Sequence, residues 1–370
     1  MAHTAVESLT QPAAYYAIRW QTRVYCAIGL AGLLILVILF AVTLGSVDIP
    51  FATCVQIVLS RIPFVDIAPS SLSGFGADLS RGTLETIIWD IRMPRILLAG
   101  VVGAALSVAG ATYQGLFRNP LADPYLLGVS SGAGLGATVA ILIPFTATWM
   151  VLGSVPLFAF VGAMGAVAVV YLLARVGRTL PVTTLILAGV ALGAFLSSIT
   201  SYLMTVCGEE LHGIVFWLLG GLSMTNWNEV LIVFPCVLAG ILVIWLHARP
   251  LNVMQLDEEQ AQQLGVNVEK VKLILLGVAT LVTSSAICFT GLIGFVGIIV
   301  PHIVRLIWGP DHRFLIPLST LVGAIFLILA DSLARTVLSP TEIPVGIITA
   351  FCGAPFFLYL LRRRKGLALF

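Results

Sequence analysis

Three arginines, one acidic triplet and one histidine are the side chains in this 370-residue sequence whose type and setting could do chemistry. Arg92 and Arg95, in "IRMPR", directly precede a long apolar run that begins at Ile96. A helix N-terminus carries partial positive charge and prefers acids, so two cations there are out of place. Arg335 follows Asp331 by four residues, the spacing of an ion pair on one helix face. Two readings fit these arginines equally well. Either they snorkel to lipid headgroups, or they wait for carboxylates on an external partner. The triplet Asp257-Glu258-Glu259 opens "DEEQAQQLGV", a pattern that predicts a short amphipathic helix capped by Gly265 and followed by a second short turn. His302, in "PHIVR", follows a proline near the end of its apolar run and reads as a hydrogen-bonded terminus residue, not a ligand.

Other chemistries lack their residues. There is no G-x-x-x-x-G-K-[ST] phosphate loop, so the chain does not bind ATP in that mode. H-E-x-x-H is absent and no pair of aspartates lies in mid-run, which disfavours an intramembrane protease. The six cysteines (Cys26, Cys54, Cys207, Cys236, Cys288, Cys352) are scattered, with no C-x-x-C pair, and read as small buried hydrophobes. No catalytic residue, metal site or cofactor bound by this chain is expected.

Composition explains what must position these groups. Hydrophobic residues make up 59% and charged residues 10%, with a mean hydropathy of +1.07. A soluble domain carries roughly 25% charged residues, so this chain cannot cover a water-facing surface. It is an all-α, polytopic membrane protein. A net charge of +2 gives no nucleic-acid footprint. The first apolar run, Val24 to Leu44, is too long for a signal h-region and has no cleavage site after it.

A crossing needs about 20 mostly apolar residues. The run Pro124–Ala174 would measure roughly 75 Å as one helix, so it must turn, near Pro144–Trp149. Leu273–Val304 also overshoots, at roughly 48 Å, and "GLIGFVG" (Gly291–Gly297) is its natural break. The expected bundle thus has ten crossings, at about 24–46, 96–117, 125–144, 149–174, 182–206, 228–248, 272–290, 293–308, 314–331 and 343–361. With both termini in the cytoplasm, fourteen of the 19 basic residues fall on the inner side. Merging Leu273–Val304 into one crossing would put "RRRK" (Arg362–Lys365) outside, against that bias.

Residues 1–370 form one transmembrane domain, because most connections are short. The longest outer segment, Gly45–Asp90, holds the Ser/Gly-rich "PSSLSGFG". The largest inner one, 251–271, carries the acidic helix and is the one substantial surface a cytosolic partner could grip. The bland reading of it is a solvated loop. Small-xxx-small stripes at Gly128/Gly132/Gly136, Gly162/Ala166, Gly100/Ala104 and Gly103/Ser107 let helix backbones approach closely in lipid. "RNPLADP" reads as an inner turn: Arg118 anchors it and the prolines end and restart helices. Acids sit at run ends (Asp123, Asp331, Glu342), which disfavours a proton- or ion-coupled carrier. If transport is the task, the energy must come from elsewhere than a phosphate loop of this chain.

Eight blocks in order carry a resemblance: "RMPR", "GAALSVAGATYQGLFRNPLADPYLLGVSSGAG", "LAGVALG", "FWLLGGLSM", "EEQAQQLGV", "GLIGFVGIIVPHIVRLIWGPDHR", "ADSLAR" and "EIPVGIITAFCGAPFFLYLL". Over Arg92–Arg364 the chain resembles the permease subunits of ATP-binding-cassette importers for ferric siderophores, haem and cobalamin. Gly45–Asp90 matches poorly and is longer than usual. The resemblance implies a homodimer in the cytoplasmic membrane of a prokaryote, surrounded by membrane lipid. Two cytosolic ATPase subunits would hold the ATP and Mg, and a periplasmic or lipid-anchored binding protein would deliver the cargo. It also implies that Arg92, Arg95 and Arg335 receive acids of the binding protein. Leu256, Glu259, Ala261, Leu264 and Gly265 would contact the ATPase. The pathway would follow the dimer axis along the fifth helix (Leu185–Met204, with Ser197 and Ser201). Its inner constriction would lie at Leu180–Thr184, with Pro181, Val182 and Thr183. Tyr202 and Met204 either meet cargo or pack. The expected cargo is a ferric siderophore or haem, the runner-up cobalamin or another corrinoid. A self-sufficient secondary carrier or channel is the distant alternative.

Overall fold

A computed structural model describes residues 20–45, 47, 49–61, 81–143, 153–177, 179–223 and 225–365. The expected turn at Pro144–Trp149 and the stretch "PSSLSGFG" lie outside the described residues, as do Arg19 and Arg178. Among those described, all extended regular structure is helical: α1 Trp20–Thr43, α2 Phe51–Ser60, α3 Arg81–Glu85, a π-helical turn Thr86–Arg92, α4 Met93–Leu116, a 3-10 turn Pro124–Leu127, α5 Val129–Leu142, α6 Ser154–Ala174, α7 Val182–Val206, α8 Leu211–Leu219, α9 Trp227–Leu246, α10 Ala248–Val253, α11 Glu258–Gln263, α12 Val268–Thr290, α13 Val296–Trp308, α14 His312–Thr336 and α15 Val345–Lys365.

Seven of these stretches are long and apolar enough to cross a membrane: α1, Gly82–Leu116, α6, α7, α9, α12 and α14. α5, α13 and the Val345–Tyr359 part of α15 are apolar but shorter. They coincide with the remaining three expected crossings. Their brevity has local causes. Three residues of the third expected crossing wind as the 3-10 turn before Gly128, which takes φ +81°, so α5 starts only at Val129. Gly291 and Phe295 both adopt φ +68°, which stops α12 at Thr290 and starts α13 at Val296. That is the break expected in "GLIGFVG".

α4 is the hub. Its crossing is 83% buried, against 11% for α7. The cause is its small residues. A Cβ on Gly103 would meet the backbone of Gly323 in α14, and a Cβ on Gly110 would meet that of Gly297 in α13. Backbone contact of this kind maximises dispersion where lipid offers no hydrophobic drive. Gly132 and Gly136 press α5 on Gly162 and Phe158 of α6 in the same way.

One expectation needs correction. The second crossing does not start at Ile96: helix runs without a break from Arg81 through the π-turn into α4, so Arg92 and Arg95 lie inside it. The dipole argument therefore does not apply to them, because N-terminal partial charge is confined to the first turn. The segment 45–90, whose Ser/Gly-rich stretch lies outside the described residues, contains α2 and α3. α8 is an element the apolar runs did not announce. It ends at Gly220, and Gly221 N–H donates to the Thr290 carbonyl at the α12 break (2.8 Å).

Candidate functional site

The three arginines and the acidic triplet lie at the two ends of α4, whose 24 residues span roughly 36 Å. At the N-terminal end the three arginines converge. Arg92, Arg95 and Arg335 are only 5%, 8% and 7% exposed, so they neither reach headgroups nor stand free. The Arg95 guanidinium donates to Asp331 (2.9 Å) and to both oxygens of Glu342 (2.9 Å each). Arg335 Nε lies 3.1 Å from Asp331 Oδ2, the ion pair expected at this spacing, though off line for a hydrogen bond. Its Nη1 donates to the Leu44 carbonyl (3.2 Å). Arg92 donates to the carbonyls of Val42 (2.7 Å), Thr43 (3.2 Å) and Val47 (2.6 Å). It thus satisfies carbonyls that the end of α1 leaves open. Unpaired charge at this depth would cost several kcal/mol, and the chain supplies the counter-charge itself. The three guanidiniums and Glu342 line a crevice of about 190 Å³ together with Gly45, Val47, Ile87, Ile91 and Pro340. Glu342 is the accessible member, 38% exposed and accepting from Ser223 (3.0 Å).

At the other end, α10 and α11 form a shelf beneath the bundle. Gly265 closes α11 at φ +84°, as the sequence predicted, and Asp257 caps its start. The second short turn expected after it is instead the start of α12, capped by Asn267. Ala261 is fully buried, whereas Leu256 and Leu264 are 59% and 64% exposed. Glu259 and Gly265 are exposed beside them. The side chain of Arg118, from the turn after α4, donates to Asp257 (3.1 Å). That hydrogen bond, with a second from the Glu258 N–H, holds the Asp257 carboxyl below the usual range.

Residues that sequence reasoning passed over fix this shelf. Gln255 donates to the Gly115 carbonyl at the end of α4 (2.8 Å). Asn252 donates to Asp311 (2.6 Å) and accepts from the His312 N–H (2.8 Å) at the start of α14. Isolated amides carry no motif, so only their position beside helix ends reveals them.

The expected pathway residues lie on α7, the least covered of the crossings. Pro181 caps it, Val182 opens it and Thr183 is exposed. Ser197, Ser201, Tyr202 and Thr205 are exposed further along, while Met204 is half-buried. No metal-holding group of three or more His, Cys, Asp or Glu side chains occurs among the described residues.

Residues 33–363 match the FecCD transport family. The chain belongs to that family. Over 332 residues this FecCD protein is 45% identical to the cobalamin import system permease protein BtuC of Halobacterium salinarum, covering 89% of this chain and 87% of the relative. It is 41% identical over 281 residues to the hemin transport system permease protein HmuU of Yersinia pestis, covering 75% and 84%. The Fe(3+) dicitrate transport system permease protein FecD of Escherichia coli is 39% identical over 279 residues, covering 75% and 86%. A solved metal-chelate type ABC transporter, captured in an inward-facing conformation, superposes with a TM-score of 0.74 at 32% identity. The match covers 92% of the FecCD chain and 99% of the solved one.

Proposed function

We propose that this chain is the membrane-spanning permease of an ABC importer that takes up a metal chelate by alternating access, with ATP hydrolysed on separate cytosolic subunits. The observation that carries the reading is the α10–α11 shelf: two exposed leucines flank a capped acidic helix, hydrogen-bonded to the ends of α4 and α14. A loop that merely solvated the membrane face would not keep Leu256 and Leu264 in water. An ATPase docked there would cover both, with Glu259 and Gly265 in the contact; Ala261, expected there too, is fully buried and instead anchors α11 in the core.

The remaining roles follow from that orientation. The shelf faces the cytoplasm, and α5, α13 and α15 join the seven long helices to make ten crossings with both termini inside. Two copies meet across the open faces of α7 and α15, so that Ser197 and Ser201 line the pathway and Pro181, Val182 and Thr183 its inner constriction. A binding protein docks at the opposite end. Its carboxylates enter the arginine crevice by exchanging with Glu342 at Arg95, with Arg335 behind. Arg92 has its guanidinium committed to α1 carbonyls, and its part is to hold the crevice wall rather than to receive a carboxylate.

The cargo class follows from the relatives, which are named for cobalamin, hemin and ferric dicitrate. A ferric siderophore or haem is the first reading. Cobalamin is the second, favoured by the 45% identity to BtuC. Reconstitution tests the scheme. ATP hydrolysis in vesicles should require a second, cytosolic protein and rise with the cognate chelate and its binding protein. Hydrolysis by the purified chain alone would overturn it.

A further inference from the structure

We infer that Lys272 is a positioning residue for transport: its ammonium joins the α11 docking helix to the Leu180 peptide that leads into α7, so that displacement of one carries the other. The inference rests on the docking and constriction roles proposed above. It identifies the side chain that connects them.

Lys272 belongs to the first turns of α12, yet its side chain is only 5% exposed. An ammonium has three N–H donors and no acceptor. Here all three are used on three separate elements. One goes to Glu258 of α11 (2.8 Å), one to Glu269 one turn back on α12 (3.3 Å) and one to the Leu180 carbonyl (3.2 Å). Leu180 is gripped a second time, because its N–H donates to the other oxygen of Glu269 (3.0 Å). Both polar groups of one residue are thus held by the Lys272–Glu269 pair. The next residue, Pro181, is the cap of α7. A residue before proline has restricted backbone freedom, so movement of Leu180 passes to the start of α7 rather than being absorbed.

The energetics favour concerted movement. Pulling α11 beyond hydrogen-bond reach would leave a nearly buried ammonium with one carboxylate instead of two and one N–H without an acceptor, and a buried charged donor left without its hydrogen bond is costly. The cheaper course keeps Glu258, Lys272, Glu269 and Leu180 together and moves them as a unit. Arg118 widens the linkage: it lies 3.7 Å from Glu258 as well as 3.1 Å from Asp257, tying in the turn after α4.

The experiment uses the assembled transporter, permease with its ATPase subunits in nanodiscs, in a background without the native cysteines. A nitroxide at Thr183→Cys reports the distance between the two copies by pulsed EPR, with and without ADP-vanadate. In the parent protein the distance distribution should shift with nucleotide. Lys272→Met should abolish the shift while the ATPase still co-purifies, and Lys272→Arg should restore it. Glu269→Ala, which removes the acceptor of the Leu180 N–H and one of the two carboxylates on Lys272 while leaving Glu258 in place, should behave like Lys272→Met. Retention of the shift in Lys272→Met overturns the inference, as does loss of the ATPase from that variant, which would make Lys272 part of the docking surface alone. A parent protein that fails to retain the ATPase, or shows no shift, instead sinks the importer reading on which the inference stands.

Discussion

Arg95 and Glu342 face each other with both carboxylate oxygens 2.9 Å from one guanidinium nitrogen, although 247 residues separate them in the chain. The pair pins the segment leading into α15 against α4. It also places a carboxylate of the chain itself where a docking partner's carboxylate would enter. Glu342 is therefore a competitor. Glu342→Gln should tighten binding of the cognate binding protein, by about fivefold for a part-buried pair contributing ~1 kcal/mol. Surface plasmon resonance with the permease in nanodiscs reads this directly; weaker binding would show that Glu342 helps dock the partner instead.

Removing the arginine is a different matter. Arg95→Met leaves Asp331, 1% exposed, with Arg335 as its remaining cation. Loss of one partner from a buried charged group costs about 3 kcal/mol or more. Thermal unfolding in detergent should show a large drop in midpoint. The double variant Arg95→Met, Asp331→Leu should not recover it, because the stranded charge then becomes that of Arg335, which is 7% exposed and loses its ion pair with Asp331.

The shelf makes the opposite prediction, a loss of partner without loss of fold. Leu256→Asp and Leu264→Asp alter exposed side chains, whose substitution usually changes stability by about 0.5 kcal/mol or less. Each should weaken ATPase binding by about 2 kcal/mol, or about thirtyfold, if it fills a hot-spot pocket. Co-purification of the ATPase with each variant, beside its unchanged unfolding midpoint, checks the pair of claims.

How much of this was readable beforehand divides along a physical line. Apolar length reports burial in lipid, a property each residue carries alone. It placed α1, α6, α7, α9, α12 and α14 to within a few residues, along with the Gly291 break. The closing Gly265 was legible too, because caps act within one turn, whereas the N-cap Asp257 was read only as part of an acidic cluster. What failed to show was relational. Arg95 looked unpaired because Asp331 and Glu342 reach it across 236 and 247 residues. Continuation of helix through Arg92 depends on a π-turn whose packing partners are distant in sequence: Trp227 Nε1 donates to the Trp89 carbonyl at 2.9 Å. Lys272 sat in plain view as one cation among several, and only its burial distinguishes it.

The turn "RNPLADP" supplies a pH dependence. Asp123 caps the 3-10 turn by accepting from the Tyr125 N–H (2.8 Å). Burial pushes its carboxyl up to about 6, against that hydrogen bond. The unfolded chain releases this proton near pH 4. Between about pH 4 and 6 the folded protein therefore holds the extra proton, and stability falls as pH rises through that window, then levels off. Asp123→Asn retains the cap acceptor without the titration. Its unfolding midpoint should be flatter between pH 4 and 7 than that of the parent, and higher at pH 7.5. An identical pH profile for the two proteins would mean that Asp123 stays ionised throughout, with solvent reaching it.

The close contact of α4 with α14 gives the last test. Gly103 and Gly323 face each other so closely that a Cβ on either would meet the opposite backbone, and Ser107 also crowds Gly323. Backbone cannot rotate away as a side chain can, so the helices must separate. Overpacking of a tight core costs about 1–3 kcal/mol, and separation here also loosens the contact that carries Asp331 to Arg95. Gly323→Ala should accordingly lower the unfolding midpoint. Gly277→Ala, a helical glycine in α12 with open space around it, should leave it unchanged or raise it, because alanine is the better helix former by about 1 kcal/mol. If the two substitutions were equally damaging, helix propensity and lipid contact, rather than the α4–α14 approach, would govern stability in this bundle.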